Sequence, residues 1–85
     1  MATYITLINL TEQGVKTIKD LPARIAAGRQ AMEANGGKLL QYYLTLGAQD
    51  AVVITELPDD ETAASVALQQ AGLGNLRTTT MRAFT

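Results

Sequence analysis

Residues 38–57, KLLQYYLTLGAQDAVVITEL, hold two runs of β-branched, aromatic and leucine side chains on either side of a short polar stretch. The first run, KLLQYYLTL at 38–46, and the second, DAVVITEL at 50–57, have the composition of strands. Gly47-Ala48-Gln49 between them has the composition of a turn, so the pair reads as a β-hairpin. A hairpin in the middle of a short chain leaves room for one further helix and one further strand on each side.

Upstream, Asn35-Gly36-Gly37 ends a helical region that begins near Glu12, because glycine accepts the left-handed conformation of a helix terminus. Within it Val15, Ile18, Ile25 and Met32 recur at spacings of three and seven and share one face. Pro22 interrupts the region, so a break is expected near Asp20–Leu21 with Pro22 opening a second segment. Thr11 is placed to cap the helix, and TYITLIN at 3–9 reads as the first strand. Downstream, Pro58-Asp59-Asp60-Glu61 opens a second helix: Asp59 or Asp60 caps it, and the acids suit its positive end. Ala63, Val66, Ala67 and Gln70 mark its inner face, and Gly72 or Gly74 stops it. Residues 75–84, NLRTTTMRAF, form the last strand. The order β-α-β-β-α-β predicts an α+β fold of ferredoxin-like type, an antiparallel four-stranded sheet with both helices on one face.

Eighty-five residues make one domain, 1–85, with a small core that gains from association. The net charge of −1 supplies no basic patch for nucleic acid. With no cysteine and no histidine, the chain excludes disulfides, thiolate and imidazole metal ligands, cysteine nucleophiles and His-based triads. The start, MATYITLINL, lacks the pattern of a signal peptide, and no apolar run approaches the ~20 residues that span a bilayer; a cytoplasmic protein is expected.

Sorting the strands by parity gives two faces. Ile5, Leu7, Leu40, Tyr42, Leu44, Leu46, Val52, Ile54, Met81 and Ala83 form one set, taken as the helix-facing core. Tyr4, Thr6, Ile8, Leu39, Gln41, Tyr43, Thr45, Ala51, Val53, Thr55, Thr78, Thr80, Arg82 and Phe84 form the other, taken as an open face. That second set is too apolar for free solvent and too polar for a dry core, which points to packing against the sheet of a second copy. A partly hydrated space between the sheets suits a small organic ligand, with Tyr4, Thr6, Tyr43, Thr80 and Arg82 as its contacts. The competing reading of Tyr43 and Arg82 is interface packing and a salt bridge across the dimer. Arg77, of opposite parity, is expected to pair with Glu56 or Asp50 at the end of the sheet.

The stretches YLTLGAQDAVVITELPDDETAASVAL and GNLRTTTMRAF, with LTEQGVKTIKDLPAR before them, resemble the GYD domain family of small bacterial proteins. Gly47, Asp50, Glu56, Pro58, Asp59, Asp60, Arg77 and Arg82 match its pattern. Gln49 stands where that pattern has tyrosine, so no role of the tyrosine carries over. The resemblance implies the dimeric α+β barrel architecture, ferredoxin-like units paired sheet to sheet. Proteins of that architecture include cofactor-free monooxygenases, isomerases and haem-dependent enzymes, which is analogy of fold alone.

Three functions follow as expectations. The first is a homodimer, or a higher homo-oligomer, that binds a small organic molecule between its sheets without catalysis and without a cofactor. The second is a cofactor-free monooxygenase or isomerase, in which Tyr43 and Arg82 stabilise an anionic intermediate. The third is a regulatory or assembly module that binds another protein. No catalytic residue is assigned. Asp59-Asp60-Glu61 reads as a helix cap rather than a metal site, since three successive acids at a helix start cannot converge on one ion. Gly36-Gly37 follows a helix and so is no phosphate loop.

Overall fold

The computed structural model describes residues 1–85. Strand β1 spans Ala2–Leu10, β2 Lys38–Leu44, β3 Ala51–Leu57 and β4 Leu76–Ala83; helix α1 spans Glu12–Lys16, α2 Leu21–Ala34 and α3 Asp60–Gly72. The strands lie in the order β2-β3-β1-β4, and every neighbouring pair is antiparallel. This is the ferredoxin-like fold expected from the sequence, with α2 and α3 over one face of the sheet.

The punctuation works as the residue types dictate. The Thr11 side chain accepts from the Gly14 amide at 3.1 Å and donates to the Gly74 carbonyl at 2.7 Å, so one hydroxyl caps α1 and ties it to the loop before β4. A single 3-10 turn at Ile18–Asp20 fills the break that Pro22 imposes, and Pro22 sits in the first turn of α2. Gly36 takes φ +80 at the end of α2, as a left-handed terminus requires. The Asp59 carboxylate accepts from the Thr62 amide at 2.8 Å and caps α3. In the loop between β2 and β3, the Asp50 carboxylate accepts from the Leu10 amide at 2.8 Å, and the Asp50 amide donates to the Ile8 carbonyl at 2.8 Å. The matching aspartate therefore fastens the hairpin loop to the end of β1.

The two faces of the sheet correct the parity reading. The residues buried beneath the helices are Tyr4, Ile8, Ala51, Val53, Thr55 and Leu57, packed with Ala63 and Val66 of α3. Ile5 pairs with Ile54 and Met81, and Leu7 with Val52 and Thr79, on the opposite face. The set expected to be open is thus largely the core, and most of the set expected to be the core is open. Two physical reasons decide it. Ala63 of α3 packs against Tyr4 and Leu57, whose parity carries Ile8 and Val53 to the helix side with them. The parity of Ile54 in β3 also carries Glu56, whereas Ala51, Val53, Thr55 and Leu57 carry no charge, and burying Glu56 unpaired under the helices would be costly.

Strand β2 follows the inversion only as far as Leu39, because a bulge then interrupts its register. Leu39 faces Thr55 and Gln41 faces Ile54, so Leu40 is an extra residue. Beyond the bulge Tyr42 points to the helix side and Tyr43 to the open side, as the sequence predicted. Arg77 forms an ion pair with neither Glu56 nor Asp50: it pairs across from Asn9, while Glu56 pairs across from Thr3 at the other end of β1. Six residues of strand, about 20 Å, separate the two.

Candidate functional site

The open sheet face is an unusual surface. Its centre is Ile5 and Leu7 on β1 and Val52 and Ile54 on β3, each half-buried with no helix above it. Tyr43 on one edge strand is 51% exposed and Met81 on the other is 43% exposed. Soluble proteins seldom leave so continuous an apolar sheet face in water. Phe84, just beyond β4, is 80% exposed and lies under the guanidinium of Arg82, 5.3 Å from its ring centroid, with Arg82 on the Tyr4 side of the sheet rather than on this face. Only 10 of 85 residues are buried, so an occupant of this face would add much to a thin core.

The other face of the sheet carries a cleft of about 150 Å³ between the strands and the α2 and α3 layer. Ile8 and Val53 form its floor, and Ile25, Val66 and Ala67 form its roof. Thr6 and Thr80 also line it, and their hydroxyls share a hydrogen bond of 3.1 Å. Tyr42 stands at its side, and burial raises that phenol above its ordinary pKa.

At one end of the sheet, the buried Tyr4 donates to Asp60 Oδ1 at 2.6 Å. Arg82 Nη1 approaches the same oxygen at 3.4 Å in an ion pair whose two side chains are about half exposed. That exposure makes it a weak link. The hydrogen bond to Asp60 raises the Tyr4 phenol, with burial adding to the effect. The Thr62 amide and hydroxyl hold the Asp59 carboxyl below its usual range. Each acid at the start of α3 that makes a contact is thus committed to a cap or a clamp.

Of the five contacts expected from sequence, Thr6 and Thr80 meet at the cleft. Tyr4 and Arg82 meet Asp60 at the end of the sheet, and Tyr43 stands alone on the open face. The five do not converge on one point. Sequence reasoning missed Asp60 as the partner of Tyr4 and Arg82, and missed Ile8 and Val53 as cleft residues. The signal available was the parity that Glu56 shares with Val52 and Ile54 in β3.

The GYD domain pattern matches residues 4–85. The chain belongs to the GYD domain family. Over 85 residues this GYD chain is 34% identical to a Thermus thermophilus protein named glutamine synthetase and cystathionine beta-lyase binding protein, covering 99% of this chain and 90% of the relative. A crystal structure of a Thermus thermophilus protein superposes with a TM-score of 0.62 at 25% identity, covering 100% of this chain and 95% of the other. FFRP-DM1 is similar in fold, with a TM-score of 0.69 at 15% identity over 99% of this chain and 100% of the other. MtbAldR superposes with a TM-score of 0.74 at 15% identity, and the GYD chain, aligned over 99% of its length, spans 52% of it. At 15% identity these last two similarities concern the fold alone. No helix of the GYD chain is long and apolar enough to cross a membrane.

Proposed function

We propose that this GYD chain is a non-catalytic, cytoplasmic protein-binding module whose uncovered sheet face is its association surface. The observation that carries the reading is that face: Ile5, Leu7, Val52, Ile54 and Met81 form one apolar patch with no helix over it. Burying such side chains against a partner is the main favourable term in association. The name of the Thermus thermophilus relative supports the reading, since it is a protein that binds glutamine synthetase and cystathionine beta-lyase. The partner proposed here is of the same kind, a metabolic enzyme. The test is calorimetric titration of the chain with those two enzymes from its own source, beside Ile54→Glu. The reading predicts binding by the natural chain and at least tenfold weaker binding by a folded Ile54→Glu. Equal binding by the variant, or none by the natural chain, would overturn it.

A second reading is that a further copy of the chain covers this face and closes a homodimer. The two ends of the face favour it: Glu56 lies at one end and Arg77 at the other. A two-fold axis through the patch, with the sheets running head to tail, would bring the Glu56 end of one copy towards the Arg77 end of its partner. Light scattering discriminates. A mass of twice the chain that falls to one chain in Ile54→Glu supports the dimer, and a monomeric natural chain excludes it.

A further inference from the structure

We propose that the cleft beneath the helices is a binding site for a small, neutral, mainly apolar molecule of single-ring size that carries one hydrogen-bonding group. This site is separate from the association surface, since the two lie on opposite faces of the sheet.

Size is the first argument. Protein interiors pack densely, and voids larger than a water molecule are few. The cleft of about 150 Å³ opens to solvent past Ala27, Leu73 and Thr80, and its inner part between the sheet and the helices is unfilled. A space of that size with a mainly apolar lining is enough for a benzene-like ring. The residues that keep it open are small. Gly28 of α2 and Ala67 of α3 line it where a larger side chain would fill it.

Chemistry is the second argument. The walls against which a ring would lie are aliphatic: Ile8 and Val53 below, Ile25 and Val66 above. The hydrogen-bonding groups include the Thr6 and Thr80 hydroxyls, already 3.1 Å apart and able to turn towards a hydroxyl or carbonyl group. Arg24 also lines the cleft, but its guanidinium is spent elsewhere. Nη2 donates to the Thr17 carbonyl at 2.8 Å and to the Thr17 hydroxyl, and Nη1 reaches the Gly14 carbonyl at 3.5 Å. The Arg24 donors are thus directed at Thr17 and Gly14, although no carboxylate pairs with its charge; the aliphatic walls and the threonine hydroxyls make a neutral ligand the fit.

The experiment titrates the whole chain with benzene, phenol and benzoate and follows side-chain methyl resonances. Phenol and benzene are expected to shift the methyls of Ile8, Val53 and Val66 and to leave those of Ile5 and Ile54 in place. Benzoate is expected to bind at least tenfold more weakly than phenol. Ala67→Phe fills the cleft and should abolish binding of both. Thr80→Val should weaken phenol about fivefold, the worth of one hydrogen bond, and leave benzene unchanged. It tests the site independently if Ala67→Phe does not fold. Unmoved cleft methyls at saturating phenol and benzene, binding that survives a folded Ala67→Phe, equal loss of phenol and benzene in Thr80→Val, or benzoate binding as tight as phenol would overturn the proposal.

Discussion

Tyr4 and Asp60 stand 56 positions apart in the chain, and the tyrosine hydroxyl donates to the aspartate at 2.6 Å. The bond joins the first strand to the first turn of α3, so it closes a long loop of the chain at one end of the sheet. It also holds the phenol protonated, since an ionised oxygen beside a carboxylate is disfavoured. The folded state therefore binds the Tyr4 proton more tightly than the unfolded chain, whose phenol titrates near 10.0. The sign follows. The contribution is complete below pH 10 and is lost as pH rises from there through the higher folded value. Tyr4→Phe should lower the melting temperature at neutral pH by about 5 °C or less, the loss of one part-buried hydrogen bond in a domain of this size. It should also flatten the fall in stability above pH 10. The burial-raised Tyr42 will retain part of that fall, which Tyr42→Phe removes. Melting curves across the alkaline range check both points, and an unchanged alkaline limb in the double variant would refute the assignment.

Val53 and Ile54 are neighbours in sequence and lie on opposite faces of the sheet. Val53 is buried over Ile8 and the cleft, whereas Ile54 belongs to the open patch. Val53→Ala should cost about 2 kcal/mol from lost burial and the void left behind, at any protein concentration. Ile54→Ala should cost the isolated chain less than about 1 kcal/mol, because its side chain is only half buried. In an associated state its effect should grow with protein concentration, since partner binding adds to apparent stability by mass action. Denaturant titrations at two concentrations separate the cases. A larger and concentration-independent loss in Ile54→Ala would show that the faces are reversed.

The element order is legible because each boundary has its own chemistry: Thr11 and Asp59 as caps, Pro22 as a break, Gly36 as a stop, and the polar turn between two β-rich runs. Which face is buried is harder to read. In β1 both parities are apolar, Tyr4 and Ile8 against Ile5 and Leu7, so alternation alone does not choose. In β2 the extra residue at Leu40 slips the period, and no single residue type announces a bulge there. The deciding information lies in β3, where Glu56 shares the parity of Val52 and Ile54 while Ala51, Val53, Thr55 and Leu57 carry no charge; β4 does not choose, with Arg77 on one parity and Arg82 on the other. The site follows the same pattern. Thr6 and Thr80 share a parity in the sequence and do meet in the fold. Tyr4 reads as exposed because nothing in the pattern ties it to Asp60, a residue whose position suits a helix cap equally well.

Asp59 gives the acid limb of stability. Its carboxylate accepts from the Thr62 amide at 2.8 Å and from the Thr62 hydroxyl at 2.7 Å, and these bonds depress its pKa from 3.8. A carboxyl depressed in the folded state stabilises it above the unfolded value, and the contribution is lost as pH falls through the lower folded value. Asp59→Ala should lower the melting temperature by about 5 °C near neutrality. Asp59→Asn keeps a capping oxygen and should lose less, while melting with a shallower dependence on pH below about 4 than the natural chain. An asparagine variant as acid-sensitive as the natural chain would place that sensitivity elsewhere.

Gly14 tests the junction between α1 and the start of β4. It is buried, and a Cβ there would run into the Asn75 carbonyl, a backbone atom that itself accepts from the Thr11 amide at 3.1 Å. The obstacle is not a flexible side chain that can move aside, so the strand and helix must separate to admit a methyl group. Gly14→Ala should therefore destabilise by about 1–3 kcal/mol, although alanine favours a helix over glycine by about 1 kcal/mol. Gly28→Ala on α2 meets nothing within 4 Å and should be neutral or stabilising. The pair separates helix propensity from close approach. If both variants gained stability in denaturant titration, the contact between α1 and Asn75 would not constrain the fold, and the anchoring of β4 by Thr11 would have to rest on its hydroxyl alone.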